Sequence, residues 1–285
     1  MHVHTIHSGM CTLPVLRAVC RESYSDPEAL YVSLKQKGMD LVTVTDHDSI
    51  DAVEPLRNHS DFFLSEEVTC RMPSGTELHV GVYDINERQH QEIQRRRDDF
   101  HALLAYLNEQ GLLFSANHIF SSLTGKRTRA DFDWFADAFP ALETQNGCML
   151  AAINRGAQSM ASKMDKIAIG GSDAHTVRSA ATCWTTVPGA GTKSEFMQGL
   201  RSGRSRVDGS SGNYFKLTRD VLQIGCEMMQ ADPRTAPIAF LSGFAPLITL
   251  GNYFMEIGFA RRWVDRVVRE CETRPAQAMA SEVAA

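Results

Sequence analysis

The sequence predicts an α/β protein built on parallel strands, followed by a helical appendage. Strand-like and helix-like runs alternate over roughly the first 205 residues, the pattern of parallel α/β architecture. Blocks rich in His, Asp and Glu fall in or just after the strand-like runs, where such folds gather function. From Asn213 onward the pattern changes: Tyr214 to Gln230 and Pro237 to Arg269 read as helix, with no histidine. The expected division is therefore a metal-binding unit over 1–210, a helical appendage over 211–274 and a disordered Ala-rich tail over 275–285.

Along the chain, Asp26-Pro27 opens a helix with an N-cap and a first-turn proline, and Gly38 closes it. Leu41 to Thr45 reads as a short apolar strand ending in Asp46-His47. Phe62 to Cys70 is a second strand, turning at Pro73-Ser74-Gly75 into a third over Leu78 to Ile85. Glu87 to Gln110 reads as one long helix ended by Gly111. Leu112 to Ala116 leads to Asn117-His118, Ala141 to Thr144 to Gln145-Asn146-Gly147, and Lys166 to Ile169 to Gly170-Gly171-Ser172-Asp173.

The totals bound the partners. A chain of 285 residues, 43% hydrophobic and 22% charged, has the make-up of a soluble globular protein of one large domain with an appendage. The net charge of −5 supplies no general attraction to nucleic acid. Seven scattered cysteines without a C-x-x-C spacing imply reduced thiols and a cytoplasmic location. The first motif starts at residue 2, so no leader is read ahead of it. Pro237 to Met255 is uncharged, but its Gly, Pro, Ser and Asn content reads as a buried or subunit-contact helix rather than a membrane span. Homo-oligomerisation, if it occurs, is expected through these helices.

The chemistry lies in the His/Asp/Glu blocks. His2 and His4 alternate with Val3, so on an extended segment both imidazoles point the same way. In Thr45-Asp46-His47, His47 is the ligand candidate and Asp46 a group that orients an imidazole. Glu66 and Glu67 must face opposite sides of their strand. An inward Glu67 could bridge two ions with its two oxygens. His79 and His118 stand in apolar runs; singly such residues are more often core than ligand, but here they accompany the other blocks. Gly170-Gly171-Ser172-Asp173-Ala174-His175 is the most specific block: glycines permit close backbone approach, and Asp173 and His175 can address adjacent ions. Imidazole with carboxylate suits Zn, Mn, Fe or Ni. Lys126, Arg127 and Arg129 follow His118 and are candidates for holding a phosphate. His7, His59, His90 and His101 lack partners of this kind, and the latter two are expected in solvent.

The ordered set H-x-H, T-D-H, E-V-T, His79, N-H and G-S-D-A-H over roughly residues 1–180 resembles the PHP (polymerase and histidinol phosphatase) superfamily. The resemblance implies a distorted (β/α)7 barrel holding two or three divalent ions, Zn, Mn or Fe. It implies that His2, His4, Glu67 and Asp173 hold one ion, that Glu67 bridges to a second completed by His79 and His118, and that His47 and His175 hold a third. The family places an Asp or His five or six residues after the second histidine, where this chain has Gly9 and Met10. The third site is therefore expected to be weak, empty or water-completed; three equally occupied ions would refute this and point to His7 as a stand-in. The family also carries a strand and an acidic residue ahead of the first histidine, where only Met1 stands, implying a start further upstream or a trimmed chain.

The activity so implied is metal-dependent hydrolysis of a small phosphomonoester or nucleotide-like substrate, by a water shared between two ions. Glu67, Asp173 and His175 are the expected catalytic groups, His175 as a proton relay. The alternatives are an amidohydrolase with the same site and a module in which metals only brace the fold.

Overall fold

The computed structural model describes residues 1–11 and 16–273, so the expected tail over 275–285 lies outside the described residues. The fold is mixed α/β. Helix α1 (Pro27–Gln36) starts as its sequence dictates: the Asp26 carboxylate accepts from the Ala29 amide at 2.9 Å, and Gly38 takes the left-handed turn at φ 84°. A short α2 (Val53–Leu56) follows.

The main sheet has five strands: β1 (Ser65–Arg71), β2 (Glu77–Tyr83), β3 (Leu113–Ala116), β4 (Ala141–Asn146) and β5 (Ile167–Gly171), bonded in chain order. Strands β3, β4 and β5 are parallel, as the alternation predicts, but β2 runs antiparallel to both β1 and β3. The Pro73-Ser74-Gly75 turn forces the β1–β2 pairing, because a loop so short can only return the chain as a hairpin.

Two extended segments continue the bonding beyond the sheet. Residues 2–4 lie beside the end of β5, with the His4 amide on the Ala174 carbonyl at 3.0 Å and the Asp173 amide on that of His2 at 2.8 Å. They also accept from residues 42–47, through the Thr45 amide on the Val3 carbonyl at 2.9 Å. That second segment reaches β1, through the Glu67 amide on the Asp46 carbonyl at 3.1 Å and the Asp48 amide on that of Glu67 at 2.9 Å. Gly171 makes the first approach possible: any side chain there would collide with the backbone of His2.

The helix expected over Glu87 to Gln110 is two, α3 (Glu87–Arg96) and α4 (Phe100–Glu109). Asp99 is the reason: its side chain caps α4 through the Ala102 amide, and that capping conformation interrupts the run. Helices α5 (Arg129–Ala138) and α6 (Ala151–Lys163) complete the crossovers, and a two-stranded ribbon, β6 (Cys183–Thr186) with β7 (Arg206–Gly209), encloses α7 (Lys193–Arg201). This ribbon went unread in the sequence.

Beyond it run α8 (Tyr214–Ala231), α9 (Ala236–Ala239) and the long α10 (Ala245–Thr273). Helix α10 joins the main core: Ala260, Trp263 and Val267 pack with Phe132, Phe135, Ile153 and Ala157. It crosses α6 at Gly156, where a Cβ would meet Val264 at 2.7 Å. On its opposite face Leu247, Phe254 and Met255 are 67%, 63% and 58% exposed, so of the two readings of the uncharged stretch, burial within the chain does not hold for these residues. No helix among the described residues is long and apolar enough to cross a membrane.

Candidate metal centre

Glu67, on β1, is the hub. Its two oxygens face two different sets of side chains. Oε2 lies 3.1 Å from His2 Nε2, 3.4 Å from His4 Nε2 and 3.5 Å from His47 Nε2. Oε1 lies 3.5 Å from His118 Nε2 and 3.7 Å from His79 Nδ1, and accepts from Asn117 Nδ2 at 2.8 Å. Asp173 closes the first set, with Oδ1 3.4 Å from His2 Nε2 and 3.2 Å from His4 Nε2. The chain thus brings all eight candidate ligands into one cluster. Strand position explains most of them: His47, His118 and Asp173 follow extended segments, and His79 lies near the start of β2, since an antiparallel strand presents its start at the same end.

Outer partners aim the imidazoles. His2 Nδ1 meets Glu143 Oε1 at 2.7 Å, leaving Nε2 to face the hub. His4 Nδ1 meets Ser8 Oγ at 3.0 Å, and that hydroxyl donates to Asp46 Oδ1 at 2.7 Å. Asp46 therefore orients an imidazole as expected, but that of His4 and through Ser8. Such contacts fix the ring tautomer and orientation that a ligand needs. Asn146 Nδ2 bridges Glu143 at 2.9 Å and Asp173 at 3.0 Å. Glu143 was missed in the sequence, where it sits inside an apolar strand run. His118 and Asp173 both hold positive φ, 32° and 48°. Left-handed backbone in non-glycine residues persists only when the surroundings enforce it, and clusters at functional sites.

The electrostatics keep the carboxylates ionised, the state metal binding requires. Burial opposes it, but His2, His47 and His79 hold Glu67 well below the usual carboxylate range. Burial likewise opposes ionisation of Asp173, and His2, His4 and His175 reverse it. Burial alone would lower His2, yet Glu67, Asp173 and Glu143 raise it well above the ordinary imidazole value. Burial dominates at His47, pushed down to about 3.

His47 and His175 meet a carboxylate that sequence reasoning missed. Glu22 Oε2 lies 3.6 Å from His47 Nε2, and Oε1 lies 3.6 Å from His175 Nε2. His7 makes no such approach; its backbone amide donates to Thr5 Oγ1 at 3.2 Å. The other β1 carboxylate, Glu66, is also buried. It meets His90 Nδ1 at 2.9 Å and Gln94 at 2.7 Å, so His90 is not a solvated residue.

The basic loop is divided. Arg127 is 4% exposed; it donates to the Glu77 carbonyl and to Thr124 Oγ1, both at 2.6 Å, and its guanidinium stacks over Phe135. Arg129 pairs with Asp133 at 2.8 Å and with Glu270 of α10. Lys126 is exposed.

The donor set fits divalent ions. His2, His4, Glu67 and Asp173 present atoms 3.1 to 3.4 Å apart. Bonds of about 2.0–2.1 Å in tetrahedral array require separations of about 3.3 Å. Among the described residues three groups could hold an ion: His2, His4 and Asp173; His47, Glu67 and His79; and His4, His47 and His175.

A family model described as PHP-associated matches residues 153–205, which include Asp173 and His175. No curated protein matches the chain. Among solved structures, PsfC from Pseudomonas syringae PB-5123 is similar over 81% of this chain and 97% of its own, at 16% identity and a TM-score of 0.55. The lesion-specific endonuclease PfuEndoQ from Pyrococcus furiosus is similar over 73% of this chain, at 16% identity and a TM-score of 0.50. The chain spans 56% of that endonuclease. At such identities the likeness is one of fold. The match over residues 153–205 carries the same resemblance, to PHP proteins, as the ordered ligand blocks.

Proposed function

We propose that the protein is a metal-dependent phosphoesterase acting on a small phosphomonoester or nucleotide-like substrate. One observation carries the reading: the two oxygens of buried Glu67 face separate imidazole sets, the arrangement of a carboxylate that bridges two ions. His2, His4, Glu67 and Asp173 would hold the first ion, and Glu67, His79 and His118 the second. The seven extended segments that carry backbone bonds from β5 through residues 2–4 and 42–47 to β1 favour a distorted (β/α)7 barrel around them.

Bound ions would supply an activated water and neutralise charge on the phosphoryl oxygens. The chain's own groups hold that arrangement in register. Asn117 and Asn146 pin the Glu67 and Asp173 carboxylates, while Glu143 and Ser8 fix the rings of His2 and His4. His175 Nδ1 donates to the Asp173 carbonyl at 3.0 Å, leaving Nε2 as its working atom. That atom can bind an ion or pass a proton to a leaving oxygen, but not both. For the phosphate contact, Lys126 is the group with its charge open to a ligand, since both guanidiniums are engaged within the protein.

The test is metal analysis of the purified chain, then a phosphate-release panel of nucleotides, sugar phosphates, histidinol phosphate and a lesion-bearing oligonucleotide. The last is included because of the likeness to an endonuclease. Asp173→Ala and Glu67→Ala should abolish release while leaving far-UV circular dichroism unchanged. Hydrolysis of N-acyl substrates that vanadate fails to inhibit would instead establish an amidohydrolase.

A further inference from the structure

Read locally, the sequence leaves the third metal position without its acidic ligand, since Gly9 and Met10 stand where PHP proteins carry one. The fold returns a carboxylate to that place from another part of the chain. Residues 9–11 pair antiparallel with 20–22: the Cys11 amide donates to the Cys20 carbonyl at 3.0 Å and the Glu22 amide to the Gly9 carbonyl at 3.1 Å. Glu22 is therefore the cross-strand neighbour of Gly9. Gly9 has no side chain, a φ of 84° and open space where a Cβ would be, while Met10 is 42% exposed. A long side chain on the facing strand can occupy the space that a short one on residue 9 would fill.

We propose that Glu22 is the carboxylate ligand of a third metal position, shared with His47 and His175. Each of its oxygens faces a different imidazole, at 3.6 Å to Nε2 of His47 and 3.6 Å to Nε2 of His175. The rings of His47 and His175 flank that of His4, with centroids at 4.7 Å and 4.4 Å. The third position thus adjoins the His4 side of the cluster. Neighbouring contacts hold the segment there. Ser23 Oγ donates to the His175 carbonyl at 2.9 Å, and Arg21 Nη1 to the Ile6 carbonyl at 3.1 Å. His175 has its Nδ1 occupied by the Asp173 carbonyl, so its Nε2 is the available lone pair. A carboxylate and two imidazoles suit Zn, Mn or Fe. The site is then complete with protein ligands, rather than weak for want of one.

The proposal rests on the reading of the cluster as a metal centre, and the experiment separates the two. The full-length protein is stripped with a chelator, refilled with Mn or Zn, desalted, and its metal content measured for wild type, Glu22→Gln, Glu22→Ala and Glu67→Ala. Wild type should carry three ions and both Glu22 variants two, with the third ion's Kd raised at least about tenfold. Glu67→Ala should lose ions from the first pair. Equal metal content in wild type and Glu22→Gln overturns the Glu22 assignment, and if both hold two ions the phosphoesterase reading survives it. No bound ion in wild type overturns both. Should the variants fold poorly by circular dichroism, anomalous scattering from a wild-type crystal decides. A peak about 2.0–2.2 Å from the Glu22 carboxylate supports the assignment, and its absence refutes it.

Discussion

Arg127→Ala separates two roles for the basic loop after His118. In the structure the guanidinium is a brace: 4% exposed, donating to the Glu77 carbonyl and Thr124 Oγ1 at 2.6 Å each, and stacked over Phe135. Hydrogen bonds from a charged group contribute about 1.5–3 kcal/mol each, so the pair contributes about 3–6 kcal/mol. Against this, burial pushes the Arg127 pKa down to about 10, a cost of about 3 kcal/mol. The buried methylene stem adds about 2 kcal/mol. Truncation should therefore cost about 2–5 kcal/mol, a fall in Tm of roughly 5–15 °C for a chain of this size. Calorimetry with and without chelator measures it, alongside phosphate-release kinetics on the same samples. The brace is refuted if Tm stays within about 1 °C while kcat/KM falls tenfold or more, the signature of a substrate clamp.

Other expectations follow from contacts around the centre. Glu143→Gln removes the charge on the partner of His2 Nδ1 and should reduce affinity for the first ion about 10–100-fold, read by chelator competition. Glu256→Ala removes the α10 carboxylate that accepts from the Ser122 amide at 2.8 Å and from its hydroxyl. Hydrogen exchange over residues 119–126 should then rise, whereas a merely peripheral α10 would leave it unchanged. Iodoacetamide on the native protein should label exposed Cys226 first. Buried Cys70 and Cys183, whose thiols burial pushes up to about 12, should react only on unfolding.

Much of the centre was legible because metal ligands impose spacing on the chain itself. His2 and His4 share a face by strand alternation, and Gly171 lets them lie against the segment that carries Asp173. Glu143 and Glu22 were not legible. Glu143 lies 141 positions from the ring it orients, inside a run that reads only as buried strand. Glu22 reaches its imidazoles through a ribbon with Gly9, and pairing between short segments leaves no periodic signal. The same limit applies to Arg127, whose partners Glu77 and Thr124 come together only once the hairpin and the His118 loop are packed. Local chemistry was read well at Asp26 and poorly at Asp99, although both cap helices, because Asp99 sits within a continuous run of helix-favouring residues.

The most direct measurement is the anomalous difference map of a crystal grown with Mn or Zn, paired with metal analysis of the same protein. Two strong peaks about 3.5–4 Å apart, one on each side of the Glu67 carboxylate, are expected beside the third at Glu22, His47 and His175. His2, His4 and Asp173 should ligate one, and His79 and His118 the other. A single ion that Glu67 does not touch, or a cluster that takes up no ion at any concentration tried, would contradict the bridged centre.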